Sequence, residues 1–189
     1  MLREAKKQAI SQRILREARK LFLERGVAAT TVEDIAAAAD ISRASLFNYY
    51  RGKPAILDAM AAAMAARLQQ LVEHYRGKPL GTAQRLQQLF AHCARVLEQT
   101  GEFHRELLLH DGSCLDSPAL YRALKTLLHA GQQQGDVRQD LDLGLAAELL
   151  HLSFSAGLLG WLHNPRQSTQ QQFAARALFL ASIFAPLRL

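Results

Sequence analysis

The chain has 189 residues, 49% of them hydrophobic, which is ample for a buried core in one domain or two small ones. Its formal net charge of +6 is unevenly placed: residues 1–81 carry 14 Lys plus Arg against 8 Asp plus Glu, whereas residues 82–189 carry 9 of each. Only two cysteines are present, Cys93 and Cys114, too few for a disulfide framework and in keeping with a reducing compartment. The opening MLREAKKQ lacks the apolar core of a signal peptide and no unbroken apolar run reaches the roughly 18 residues of a membrane span, so a cytoplasmic protein is expected. The first predicted helix covers residues 8–24, with Ile10, Ile14, Ala18, Leu21 and Phe22 as an inward stripe and Gly26 just past its end. Arg13, Arg16, Arg19 and Lys20 make its other face basic, and Lys6 and Lys7 precede it as a flexible arm. Such a patch is the footprint of a surface that neutralises phosphates; a solvated basic helix, a polyphosphate site or an anionic membrane surface would suit the charge alone equally well.

Residues 30–53, TTVEDIAAAADISRASLFNYYRGK, read as two short helices joined by a tight turn. Thr31 caps the first, whose Val32, Ile35, Ala36 and Ala39 share one apolar face. Asp40 marks the change of direction, because Asp tolerates a left-handed backbone better than most residues. Ser42 caps the second helix, in which Leu46 and Tyr50 face inward and Arg43, Ala44, Ser45, Asn48 and Tyr49 face outward. Together with Gly26, paired Thr30 and Thr31, Ile35-Ala36, Ala39, the aromatic run and Gly52-Lys53 before Leu57, this segment resembles the DNA-binding signature of TetR-type transcriptional repressors over roughly residues 8–60. Two positions depart from the usual pattern: Asp40 stands where Gly is common and Tyr50 where Phe is common, and each keeps the required backbone or ring.

A fourth helix is predicted from Lys53, with Pro54 in its first turn, to Tyr75. Gly77, Pro79 and Gly81 then break the chain. The implied division is a helix-turn-helix domain over 1–52, a connecting helix over 53–76, and an effector-binding and dimerisation domain over 77–189. In that last part Thr82 caps a helix striped by Leu86, Leu89, Phe90, Cys93, Val96 and Leu97, which Gly101 ends, and a short segment over 102–110 follows. Residues 111–117 are loop. Ser117-Pro118 opens a helix with Leu120, Leu124, Leu127 and Leu128 inward, closed by Gly131 and Gly135. Residues 143–162 are apolar almost all round, and a last helix runs from a Ser168 cap, after the Asn164-Pro165 break, to Pro186. No segment alternates like a strand. The fold class is therefore all-α, an N-terminal three-helix helix-turn-helix DNA-binding domain plus a C-terminal helical ligand-binding and dimerisation domain.

Reading DNA requires phosphate contacts for affinity and base contacts for sequence choice. Thr31, Tyr49 and Lys53 suit phosphates, a role that the matching positions of the resembling family commonly serve. Arg43, Ala44, Ser45 and Asn48 sit where bases are read, since Arg can engage guanine and Asn adenine with paired bonds. Phe47 can pack on the first helix or lie against the DNA, with packing favoured. The two C-terminal helices carry more apolar surface than one subunit covers, which predicts a homodimer through Leu149, Ser153, Ala156, Gly157, Gly160, Phe173, Ala177, Leu180, Ala181 and Phe184. Phe90, Phe103, Leu107, His110, Leu124, Phe154 and Trp161 combine aromatic bulk with few polar groups, as an effector pocket does, although core packing accounts for each equally well. No catalytic residues, metal site or cofactor are expected: there is no phosphate loop, metal-binding His pair or nucleophile elbow, and His110 with Cys114 falls short of a structural metal's four ligands. Cys93 reads as a buried small hydrophobe and Cys114 as an inert loop thiol.

The resulting expectation is a cytoplasmic, homodimeric repressor that binds double-stranded DNA at a palindromic operator and is released by an unknown small-molecule effector, with no membrane partner. An activator or an effector-free regulator is the alternative among binding proteins. A small helical ligand-binding protein or enzyme with an incidental basic end is the alternative from another class.

Overall fold

The computed structural model describes residues 2–111, 117–164 and 168–186. Among them run eight α-helices and no strand: α1 (Leu2–Arg25), α2 (Val32–Ala38), α3 (Arg43–Phe47), α4 (Lys53–Arg76), α5 (Thr82–His110), α6 (Pro118–Gln134), α7 (Leu143–His163) and α8 (Thr169–Phe184). They divide into two compact units that do not respect helix ends: Met1–Met64 with Thr100–Cys114, and Ala65–Gln99 with Leu115–Leu189. The change of unit inside α5 coincides with Thr100, whose φ of −134° and ψ of 31° leave the helical range one residue before Gly101.

In the first unit the inward stripe of α1 forms as its spacing requires: Ile14, Ala18, Leu21 and Phe22 are buried against Ile35, Ala36, Ala39 and Leu46, with Ile56 and Met60 of α4 completing the core. Phe103 and Leu107, from the second stretch of α5, close the same core, and the Phe103 ring stacks on Phe22 at 6.4 Å. One expectation fails here. Lys6 and Lys7 belong to α1 itself and not to a flexible arm, because LREAKKQ contains only good helix formers and Glu4 lies where the helix dipole favours a carboxylate.

The second unit is built on α6 and α7. Leu120, Leu124, Leu127 and Leu128 of α6 are buried, as their three-and-four spacing predicts. Gly135 ends α6 in a left-handed conformation at φ 77°, but Gly131, expected to share that role, lies inside the helix. Its value is steric: a Cβ there would collide with Thr82 Oγ1 and stand 2.5 Å from Val137 Cγ2. This lack of a side chain lets the start of α5 approach α6, and Asp136 secures the contact by accepting from the Thr82 backbone N–H at 2.6 Å and its hydroxyl at 2.8 Å. On length and composition α7 is apolar enough to cross a membrane, although Glu148 and His151 leave it no unbroken apolar run of that length. Ala147, Leu150, Phe154 and Trp161 bury one of its faces inside the unit. Cys114 and Pro165 lie outside the described residues.

Candidate nucleic-acid interface

The mounting of α3 begins at Thr31. Its hydroxyl accepts from the Asp34 backbone N–H at 3.1 Å, while the Asp34 carboxylate accepts from the Thr31 N–H at 2.9 Å and its hydroxyl at 2.6 Å, a reciprocal cap that starts α2. These bonds from Thr31 hold the Asp34 carboxyl below its ordinary range. The turn after α2 places Asp40 at φ 51°, the left-handed conformation anticipated for it. Ser42 then caps α3 by accepting from the Ser45 N–H at 3.1 Å, and its own hydroxyl donates to Ser45 Oγ at 2.9 Å.

The second helix is shorter than predicted. Regular helix stops at Phe47, and the chain passes through turns to Gly52, whose φ of 103° is open to glycine and strained for any other residue. Leu46 is fully buried and anchors α3 from beneath. Tyr50 is half-buried and shares a 2.7 Å hydrogen bond with Ser11 of α1. Around this anchor Arg43, Ala44, Phe47 and Asn48 are exposed, and Ser45 and Tyr49 are half-buried. Phe47 does not join the core: the residue is 42% exposed and its ring lies beneath the Arg43 guanidinium, 5.5 Å from Cζ to ring centroid. Arg43 Nε also stands 2.9 Å from Glu33 Oε1 of α2.

Lys53 holds a position that sequence did not reveal. Its ammonium donates to the carbonyls of Val27 at 2.7 Å, Thr30 at 3.1 Å and Ala28 at 3.5 Å, so all three of its N–H groups are spent on the turn between α1 and α2. A direct phosphate contact would require one of them to be surrendered. Lys53→Met should therefore lower the stability of this unit by about 1.5–3 kcal/mol, the range for hydrogen bonds to a charged group. Thermal melting checks this, and an unchanged midpoint with weakened DNA binding would return Lys53 to the phosphates.

Of the residues proposed for a pocket, Phe90, Leu124 and Phe154 do come together. With Leu68, Val72, Leu89, Cys93, Leu120 and Leu150 they line a cavity of about 10 Å³ within the second unit, near the lower limit for one water. Burial pushes the Cys93 thiol up to about 12, so it stays protonated and uncharged. Trp161 is buried in the same unit without lining this cavity. Phe103 and Leu107 lie in the core of the first unit, whereas His110 is exposed on that unit, its Nε2 2.9 Å from Asp58 Oδ1. Periodicity along α5 gave no warning that its two stretches serve different cores.

The residues proposed for a dimer face also separate. Phe173, Ala177, Leu180 and Phe184 are buried inside the subunit, and Gly157 is small so that α7 can meet α8 of its own chain, a Cβ there standing 3.1 Å from the Phe173 ring. Ser153, Gly160 and Ala181 are half-buried; Leu149 and Ala156 are exposed. Leu149 and Ala156 belong to a stripe that sequence reasoning missed: Leu145, Leu149, Leu152, Ala156 and Leu159 are all exposed, at alternating spacings of four and three, with Leu178 and Phe179 exposed on α8. The spacing itself was the available signal.

A short capped helix, braced by a second helix and offering Arg, Ala and Asn to solvent above a basic α1, defines a helix-turn-helix DNA-binding protein. Residues 14–60 match the model of the bacterial regulatory proteins of the tetR family, and the chain carries a TetR-type DNA-binding domain over that span. It is similar to the HTH-type transcriptional repressor DhaR of Mycobacterium sp. (strain GP1), 26% identical over 160 residues that cover 79% of this chain and 81% of that one. It is also similar to the probable acrEF/envCD operon repressor of Escherichia coli (strain K12), 25% identical over 181 residues covering 87% and 82%. Among solved structures, Thermus thermophilus FadR, a TetR family transcriptional repressor in complex with lauroyl-CoA, shares 26% identity at a TM-score of 0.67, covering 90% of this chain and 92% of that one.

Proposed function

We propose that the protein is a homodimeric repressor in which each subunit sets α3 into the major groove of a palindromic operator, and that a small apolar effector releases it. The observation that carries this reading is the outward set Arg43, Ala44 and Asn48 on a helix fixed from beneath by Leu46. Thr31, Ser45, Phe47, Tyr49 and Lys53 surround it. The exposed leucines of α7 and the Leu178-Phe179 pair of α8 supply the dimer face. A second copy of the chain is the partner that also provides a second reading helix, which must stand about 34–36 Å from the first to enter successive major grooves. That face, and the inward one packed in the subunit, account for the apolarity of α7 without a membrane. No reaction is assigned: the family is one of regulators.

Selection from a randomised duplex pool tests the reading. Enriched sequences should be inverted repeats whose half-sites lie about one helical turn apart. Enrichment of asymmetric sequences, or of none, overturns it.

The effector class follows from the cavity lining. No charged side chain faces it, and its one heteroatom-bearing side chain is the protonated Cys93. Because the cavity is so small, a ligand must favour a more expanded conformation and can act on DNA affinity only through that preference. The hydrocarbon portion of a ligand such as the one held by the Thermus FadR would suit this lining. Apolar compounds that raise the melting temperature should weaken operator binding, and operator should weaken their binding by the same factor. A panel in which only charged, hydrophilic compounds release the operator would contradict the assignment.

A further inference from the structure

We propose that Glu33 is a positioning residue for base recognition: with Phe47 it clamps the Arg43 side chain so that its terminal guanidinium nitrogens are presented to a base edge. The inference rests on the reading of α3 as the helix that enters the groove. Arg43 is the first residue of α3, Phe47 lies one turn further along the same face, and Glu33 comes from the first turn of α2. Between them the Arg43 side chain is held twice, by Glu33 Oε1 at 2.9 Å from Nε and by the Phe47 ring 5.5 Å beneath Cζ.

This arrangement has little value for stability. The two charged side chains are 65% and 57% exposed, and pairs this open are worth almost nothing against solvent screening. Its value lies in what it leaves available. The carboxylate's recorded approach is to Nε, at 2.9 Å, and the fork formed by the two terminal nitrogens is the part of a guanidinium that can bond guanine O6 and N7 together. An unrestrained arginine must give up its rotamer freedom when it binds, so two contacts that bias the side chain towards one geometry lower that cost for one base over the others. Glu33 by itself would repel phosphates. Paired with Arg43 it is neutralised and becomes a brace that touches no DNA.

The opposite role, a carboxylate that masks Arg43 and competes with the base, makes the reverse prediction. The experiment is competitive binding of the full chain to duplexes varied at each half-site position, for the wild type, Arg43→Ala, Glu33→Gln, Glu33→Asp and Phe47→Leu, with melting curves to show that each is folded. The wild type should prefer one base at an Arg43-dependent position by about tenfold or more per half-site. Arg43→Ala abolishes that preference. Glu33→Gln should bring it to within about threefold of Arg43→Ala, while affinity for arbitrary duplex rises because a negative charge has gone. Glu33→Asp, which keeps the charge on a shorter arm, and Phe47→Leu should fall between. Glu33→Gln with a wild-type or sharpened preference at the Arg43-dependent position overturns the clamp alone and assigns Glu33 to masking. Arg43→Ala with an unchanged preference overturns the base-reading role of Arg43, and the clamp with it.

Discussion

Replacing Leu152 by Glu should convert the protein to a monomer and weaken its binding to a two-half-site duplex by about 10²–10⁴-fold, the advantage normally lost when two linked sites must bind separately. Leu152 is 57% exposed and sits midway along the stripe from Leu145 to Leu159. Across a two-fold axis each substitution counts twice, and an unpaired charge buried at such a face costs about 3–5 kcal/mol. In the separate subunit the same carboxylate stays in water, so the fold should survive and the monomer should melt cooperatively. Phe179→Glu on α8, 63% exposed, is expected to act alike. Sedimentation and duplex binding by the same preparation decide the matter. A Leu152→Glu protein that remains dimeric would move the interface elsewhere.

The second large effect belongs to α3. Ala44→Glu should abolish binding to every duplex, by several kcal/mol per half-site, because it drives a carboxylate against the acceptor-rich edge of the groove. Ala44 is exposed at the second position of α3, where an acidic side chain faces the favourable end of the helix dipole. The melting temperature should therefore stay the same or rise slightly while DNA binding disappears. Since the dimer face is untouched, the variant should also poison the wild type by forming mixed dimers. Retention of specific binding by Ala44→Glu would show that α3 does not enter the groove.

Much of the first unit was legible because local chemistry and tertiary packing agree there. The Thr31 and Ser42 caps, the left-handed Asp40 and the buried Leu46 are each dictated by residues within a turn or two of one another. The role of Lys53 was hidden because its partners, the carbonyls of Val27 and Thr30, are more than twenty residues away and carry no side-chain signature. Phe103 and Leu107 misled differently: Gly101 marked a break beside the one observed at Thr100, but no local signal told which core the stretch beyond it joins. Helix α8 shows the limit of periodicity. It carries the stripe Phe173, Ala177, Leu180 and Phe184 and, beside it, Leu178 and Phe179. Either set could face inward by spacing alone, and only packing against α7 decides that the first does.

Equilibrium binding of the purified full chain to duplexes tiling the promoters around its own gene, repeated at several salt concentrations, bears most directly on α3 as a reader of specific DNA. One duplex should bind at least about 10³-fold more tightly than the rest, the usual margin of specific over non-specific recognition, with affinity falling steeply as salt rises. Equal and weak affinity for every duplex would mean that the protein is not a sequence-specific regulator of its neighbours.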